Sequence, residues 1–375
     1  MVKAVSFPFP IPSLPEIPIP GLPPISLPVL PPPFDKLVAF IQTKEFAELA
    51  VDLGLKILVF PGLAFIMLYA ILAVWGERKL HARIHLRIGP YHVGPIFGLF
   101  QLVADGIKLL GKEIITPERA HKLGYHLAPV LVMALSMITL AFIPYFPVAP
   151  GKYWAIYYTE YNLLVILALM SLRPFIMILA GWASNNKYTT MGAMRAAFQL
   201  LAYEVPLMLA MASVVMLAGS FDLAKIVESQ AGMWYIGPCF LGFIVFFVAT
   251  MAEICRRPLD IITAEQEIVF GPWTEYTGME YGLIMMSEYV DVAIASFLVT
   301  MLFLGGWHGP GLHPLAWVLI KMGVVSMFFI VGRSTWPRLR IDQLLDAGWR
   351  KLIPMALVQV VVVIALIYVL KVISA

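Results

Sequence analysis

Acidic and basic side chains crowd into one short stretch that follows an uncharged segment. The stretch AEICRRPLDIITAEQEIVF spans residues 252–270, and the preceding FLGFIVFFVATM carries no charge. A carboxylate next to apolar surroundings can gain or lose a proton as those surroundings change, so the pattern suggests proton transfer. The ionisable residues of the stretch are Glu253, Arg256, Arg257, Asp260, Glu265 and Glu267.

Two further carboxylates lie inside segments that are otherwise apolar. Glu204 stands in QLLAYEVPLMLA, close to Pro206, which frees backbone groups and can admit water. Glu288 and Asp291 lie three residues apart in SEYVDVA and share one helical face. Inserting an ionisable residue at the centre of a membrane helix costs about 2.5–3.5 kcal/mol, so such residues usually face protein or water. Glu204 and Glu288 therefore predict a proton path.

Two long basic side chains, Arg173 and Lys321, also interrupt apolar segments. Each can form a buried ion pair, or extend its charge to the lipid headgroups while its stem stays in the membrane. The sequence does not choose between these two structural roles.

The composition defines the class of protein that must position these groups. Of the 375 residues, 61% are hydrophobic and 13% are charged, and the mean hydropathy is +0.86. Soluble domains are about 45–50% apolar and about 25% charged, so this chain is predicted to be an integral membrane protein. Its net charge of +3 offers no basic surface for a nucleic acid.

Runs of about twenty mainly apolar residues predict an all-α polytopic membrane fold with about eight transmembrane helices. None shows the alternation of a barrel strand. The predicted spans are 54–76, 126–148, 162–183, 193–217, 235–253, 283–306, 314–332 and 353–373.

Positive charge follows the odd-numbered connections between these spans. Those connections carry seventeen Lys and Arg residues, whereas the even-numbered ones carry only Lys152 and Lys225. The positive-inside rule then places the odd-numbered loops in the cytoplasm and both termini outside.

Regions outside the spans complete the predicted organisation. Residues 1–53 form a proline-rich extension, for which polyproline II is favoured, ending in a short amphipathic interfacial helix at 37–51. Residues 54–375 form the membrane domain, with large cytoplasmic loops at 77–125 and 254–282. Within the first loop, 92–113 predicts a second helix at the interface or beneath the bundle.

No metal site is predicted from the cysteines and histidines. Cys239 and Cys255 are about 24 Å apart along one helix, too far for a disulfide, and no CxxC pair suggests iron–sulfur or zinc binding. His81 and His85 have the helical spacing of metal ligands, but no third ligand accompanies them. They are interpreted as facing solvent or headgroups.

Three motifs occur in a characteristic order around the spans. GERKLHARIHLRIGPYHVGPIFGLFQLVADGIKLLGKE follows the first span, GWASNNKYTTMGAMRAAFQLLAYEV joins the third and fourth, and AEICRRPLDIITAEQEIVFGPWTEYTG follows the fifth. Over residues 54–373 this ordered set resembles the quinone-channel membrane subunit of respiratory complex I. The resemblance implies a chain that carries no redox centre and uses quinone as substrate, with iron–sulfur clusters and flavin on partner subunits.

The resemblance also implies roles for individual residues. It implies a proton path through Glu204, Glu253, Glu265, Glu267 and Glu288. It implies a quinone chamber formed with Glu77, Arg78, Arg87, Arg256 and Asp260. It implies docking-loop contacts from Asp105, Lys108, Lys112, Lys187 and Arg195.

The implied surroundings are those of a large assembly. Its partners would be the iron–sulfur and large hydrophilic subunits of a peripheral arm, other membrane-arm subunits, lipid and quinone. The implied location is the cytoplasmic membrane of a prokaryote or an organelle inner membrane.

Two other functions stay open from the sequence. Cys255 and Arg257 depart from the family pattern in the chamber loop. This leaves room for the related subunit of a membrane-bound hydrogenase or ferredoxin-dependent complex, which works without quinone. A stand-alone transporter using Glu204 and Glu288 is the third hypothesis, although no inverted internal repeat supports it.

Overall fold

The computed structural model describes residues 52–94, 97–149 and 151–374, without the side chains of Glu265, Leu370, Ile373 and Ser374. The proline-rich extension and the amphipathic segment at 37–51 therefore lie outside the described residues, and the predicted division at residue 53 stays a prediction. The chain from Leu53 onward forms one compact unit.

Helices dominate the described chain, as predicted. They are α1 (Leu63–Ile84), α2 (Gln101–Gly111), α3 (Lys122–Ala141), α4 (Asn162–Met170), α5 (Arg173–Ala183), α6 (Lys187–Ala218), α7 (Leu223–Ser229), α8 (Phe240–Glu253), α9 (Glu265–Ile268), α10 (Gly278–Phe303), α11 (Pro314–Thr335), α12 (Ile341–Asp346) and α13 (Ile353–Ser374). A 3₁₀ turn covers Gly271–Trp273, and a π-helical turn, Ala347–Leu352, joins α12 to α13. Strands β1 (Pro147–Ala149) and β2 (Lys152–Tyr153) form a small antiparallel pair.

Seven helical segments in the described ranges are long and apolar enough to cross a membrane. This confirms the all-α polytopic class but corrects the fifth predicted span. Residues 235–239 are not helical, because Gly237 and Pro238 disfavour a helix there, and α8 has only 14 residues. At 1.5 Å per residue α8 is about 21 Å long, less than the roughly 30 Å hydrocarbon core.

The third predicted span is one apolar segment built from two helices. It is broken at Ser171 and Leu172 between α4 and α5. Pro174 lies in the first turn of α5, where a proline is tolerated because that turn needs no intrahelical N–H bond. The break places Arg173 at the start of α5, in the middle of the apolar segment.

Helices α6 and α10 form the centre of the bundle. Helix α6 packs against α5, α8 and α13, while α10 packs against α1, α3 and α11. Helix α10 is buried over most of its length, and α8 contacts both central helices. Side chains at the end of α8 therefore lie between the two helices that carry Glu204 and Glu288.

The first long loop is largely helical and packs beneath the bundle. Helix α1 continues to Ile84, beyond the predicted span end at residue 76, and α2 occupies the centre of the predicted 92–113 segment. Helix α2 contacts α1 and α10 and has an amphipathic sequence without fully buried residues. This agrees with the expected position beneath the bundle.

The loop after α8 is held against α6 by a close approach of two glycines. A Cβ atom on Gly192 would lie 2.6 Å from the Cα atom of Gly271, and Gly271 itself has a φ of 61°. Larger side chains would separate the two segments. The charged loop of residues 254–277 is thereby fixed on the end of the bundle.

Candidate functional site

A polar cavity of about 490 Å³ opens where α1 meets the two charged loops. Its charged and ring-nitrogen side chains are Glu77, Arg78, His81, Arg87, Arg257 and Arg333. Ile88, Gly89 and Pro90 supply most of the remaining wall. The lining carries several guanidinium groups around one carboxylate, so the cavity suits a small ligand that develops negative charge.

Glu77 forms the floor of this cavity and joins three other elements. Its carboxylate accepts hydrogen bonds of 3.1 Å from Nη1 of Arg256 and 3.1 Å from the hydroxyl of Tyr289. Arg333 of α11 pairs with the other oxygen of Glu77. The guanidinium of Arg256 also lies 4.8 Å from the ring centre of Tyr289. One buried carboxylate therefore ties α1 to α10, α11 and the loop after α8.

Arg256 is almost fully enclosed, with 3% of its surface exposed. Burial opposes its charge, but Glu77, Tyr289 and Glu288 outweigh that effect, and the pKa of Arg256 is raised above its usual value. Arg256 is therefore a permanent cation that lies behind the cavity wall. It acts on a ligand through Glu77 and its electric field.

Asp260 shapes the loop without lining the cavity. It accepts hydrogen bonds from the backbone N–H of Thr263 at 3.1 Å and from the Thr263 hydroxyl at 2.9 Å, and it pairs with Arg338 at 3.2 Å. Of the five predicted chamber residues, Glu77, Arg78 and Arg87 line the cavity and Arg256 supports it. Asp260 fixes the fold of the adjoining loop.

Three of the predicted proton-path residues form an electrostatically connected series. Glu253, at the end of α8, interacts with Arg173, Glu204 and Asp291. Glu288 interacts with Arg256 and Arg333 on the cavity side and with Arg173 on the other. The series therefore runs from Glu204 in α6 towards the cavity.

The remaining predicted acids lie apart from that series. Glu267 is half exposed and pairs with Arg195, which was assigned to the docking loop. Glu265 begins the short helix α9, and its side chain lies outside what the structure describes. Glu267 and Arg195 thus join α9 to α6 near the surface.

The predicted docking residues lie on the exposed side of the charged loops. Asp105 pairs with Arg78 at 2.6 Å, which connects α2 to the cavity rim. Lys108, Lys112 and Lys187 are exposed. Their positions offer a positively charged surface next to the cavity mouth.

Sequence reasoning did not assign partners to several residues that the fold brings together. Arg173 pairs with Asp291 inside the bundle, and Asp291 also accepts a hydrogen bond of 2.7 Å from Ser136. The only signal for this pair was the cost of burying each charge. His81, interpreted as facing solvent or headgroups, lines the cavity.

The lysine in the seventh predicted span does not extend to the headgroups. The ammonium of Lys321 donates to the carbonyl oxygens of Leu304, Gly306 and His308 at 2.7, 2.9 and 2.8 Å. The ring centre of Trp234 lies 4.7 Å away. Lys321 thus holds the loop between α10 and α11 against the bundle.

Cys255 in the charged loop is a thiol held in its neutral form. Burial raises its pKa well above the usual value, although Arg173 acts in the opposite direction. Cys239 is also a free cysteine, and it is fully buried.

The fold and the cavity define an integral membrane protein with a charged ligand chamber at one end of an apolar helical bundle. Comparison with known proteins gives the family. A sequence profile described as NADH dehydrogenase matches residues 56–364.

The relatives of this chain share one name, that of a single subunit of NADH-quinone oxidoreductase. The Carboxydothermus hydrogenoformans protein is 39% identical over 329 residues, covering 86% of this chain and 92% of its own length. The Dehalococcoides mccartyi protein is 43% identical over 299 residues (80% and 82%), and a Geobacter metallireducens protein of the same name is 42% identical over 320 residues (84% and 96%). The chain belongs to this family of complex I membrane subunits.

Proposed function

We propose that this chain is the membrane-arm subunit of a complex I-like NADH-quinone oxidoreductase. It completes the chamber in which quinone is reduced and couples that reduction to proton translocation. The supporting observation is the position of Glu77, which faces the cavity and contacts the buried charges behind it. The chain itself is a non-redox subunit, and the electrons reach quinone from iron–sulfur and flavin groups on partner subunits.

The chamber residues suit the charge changes of quinone reduction. A quinone takes up two electrons and two protons to become a quinol, and it passes through negatively charged states. Arg78, Arg87 and Arg333 stabilise developing negative charge at the headgroup. His81 and Glu77 are close enough to the same space to exchange protons with it.

The chamber is linked to the membrane by the charges around Glu77. A change in charge at the quinone alters the balance between Glu77, Arg256 and Arg333, and that balance acts on Glu288. Glu253 and Glu204 lie further along the same electrostatic series. Proton uptake and release along these carboxylates is the proposed coupling step.

The exposed lysines beside the mouth support the proposed partners. Lys108, Lys112 and Lys187 form part of the surface on which the iron–sulfur and large hydrophilic subunits close the chamber. The odd-numbered loops, and with them this surface, face the cytoplasm in this proposal, because they hold most of the positive charge.

Purification of the intact complex and assay of quinone reduction test this proposal. We expect the chain to co-purify with iron–sulfur subunits and the complex to reduce quinone with sensitivity to rotenone or piericidin. A chain that purifies alone and transports protons would support the transporter instead. A complex that evolves hydrogen and leaves quinone unreduced would support the hydrogenase-type relative.

A matched pair of variants tests the position of the chamber. Arg87→Gln removes a cavity guanidinium, and Arg119→Gln removes an exposed one in the same long loop. We expect the first variant to raise the KM for quinone and the second to leave it unchanged. Equal effects from both variants would place quinone elsewhere.

A further inference from the structure

A second, water-sized cavity lies inside the bundle between α3, α5, α8 and α10. Its volume of about 20 Å³ is enough for one water molecule, for which about 10–15 Å³ suffices. Its polar lining consists of Ser136, Thr139, Arg173, Glu253 and Asp291. A cavity with this lining offers a water both hydrogen-bond donors and acceptors.

The lining includes a buried ion pair with an unused donor. Arg173 and Asp291 are 6% and 7% exposed and pair with each other. Asp291 is further held by Ser136, but Nε of Arg173 is buried without a hydrogen-bond partner among the described residues. A buried donor of this kind usually binds a water that the surrounding groups share.

Glu253 adds a second carboxylate to the same cavity. It is 5% exposed and interacts electrostatically first with Arg173 and then with Glu204 and Asp291. One guanidinium therefore faces two carboxylates in apolar surroundings. A net negative charge at that depth is costly, and one shared proton removes it.

On the basis of the proposed function, we propose that Asp291 is a further proton-carrying residue that exchanges a proton with Glu253 through a water in this cavity. In the exchange, the O–H bond of the protonated Glu253 breaks and its proton joins the water. The water releases one of its own protons to Asp291, so the water itself is regenerated. Arg173 is the positioning residue that pairs with the carboxylate left ionised.

This exchange bridges two parts of the carboxylate series. Asp291 lies one helical turn from Glu288 on α10, and Glu288 interacts with Arg173 as well as with Arg256 beside the quinone chamber. Cys255 also interacts with Arg173, but its raised pKa keeps it protonated. Asp291 therefore connects Glu253 and Glu204 with the carboxylate next to the chamber.

A double variant separates proton transfer from structural support. Arg173→Gln combined with Asp291→Asn replaces the ion pair with two neutral amides and leaves no unpaired buried charge. In the intact complex reconstituted in liposomes, we expect quinone reduction to continue under uncoupled conditions. We expect the protons transported per quinone to fall about tenfold, because a transfer group is missing.

The conservative variant and the neighbouring glutamate complete the test. Asp291→Glu keeps a carboxylate and is expected to retain transport, whereas a double variant that transports normally would show that the pair is only structural. If Glu253→Gln impairs transport and the double variant does not, Asp291 is excluded while the proposed function stands. If neither variant impairs transport, the proposed path fails as well.

A spectroscopic measurement does not depend on the assembly of the double variant. Infrared difference spectra of the complex with isotope-labelled aspartate carboxyl groups, taken between oxidised and reduced quinone, report aspartic acids that change protonation. We expect a labelled C=O band that moves to labelled glutamate in Asp291→Glu. Its absence from the wild-type complex would overturn the proposal.

Discussion

Arg256 donates a hydrogen bond of 3.1 Å to Glu77 across 179 residues of sequence, and this contact joins the chamber floor to the loop after α8. The same carboxylate receives Tyr289 and Arg333. Glu77 thus couples the position of α1 to both sides of the central helix α10. Its charge affects both the chamber and the start of the carboxylate series.

Removing that charge is expected to damage stability and turnover together. Glu77→Gln leaves the buried Arg256 without its main partner, and breaking a buried pair costs about 3–5 kcal/mol. We expect a lower thermal midpoint of the complex and slower quinone reduction, measured by thermal unfolding and steady-state assay. The control is Asp342→Asn, which breaks only the exposed pair with Arg340 and costs at most about 1 kcal/mol. Equal effects from both variants would contradict the role of Glu77.

Glu204→Gln is expected to reduce proton transport more than assembly. Glutamine keeps the size and polarity of the side chain but cannot carry the proton. Measurement of the protons transported per quinone reduced, together with the yield of assembled complex, checks this expectation. Unchanged transport in a fully assembled variant would remove Glu204 from the path.

Lys321→Met is expected to loosen the loop between α10 and α11. The variant leaves three carbonyl oxygens without their donor, and an unsatisfied buried acceptor costs about 1–3 kcal/mol. We predict a lower thermal midpoint and faster hydrogen exchange over residues 304–308. Lys225→Met removes an exposed lysine on the short helix α7 and serves as the control. Identical exchange in the two variants would contradict the structural role of Lys321.

The neutral Cys255 thiol predicts slow alkylation at neutral pH. The thiolate is the reactive form, and a raised pKa lowers its fraction, so the rate should rise only at a pH above that of an ordinary cysteine. Iodoacetamide labelling of the complex at several pH values, followed by mass spectrometry, measures this dependence. Rapid labelling of Cys255 at neutral pH would show that the thiol is neither buried nor raised in pKa.

Much of the bundle follows from local sequence, because an apolar run long enough to cross a membrane must satisfy its backbone as a helix. Short-range backbone effects were harder to read. The run at 235–253 is apolar throughout, yet Gly237 and Pro238 delay the start of α8. In the same way, Pro174 divides the third segment and sets the depth of Arg173.

The partners of the buried charges could not be predicted, because they depend on tertiary packing. The sequence showed that Arg173 and Asp291 are costly inside the membrane, but not that α5 and α10 bring them together. The family motifs singled out Glu77, Arg256 and Asp260 alike. Only the fold shows that Glu77 faces the chamber, that Arg256 lies behind it and that Asp260 holds the loop.

The proposed link between chamber and membrane is tested most directly by Glu288→Gln in the intact complex in liposomes. Glu288 stands between the charges of the chamber and those around Arg173. The measurement is the number of protons transported per quinone reduced. We predict that uncoupled quinone reduction continues while this number falls sharply. An unchanged number in the assembled variant would contradict the coupling of quinone reduction to these carboxylates.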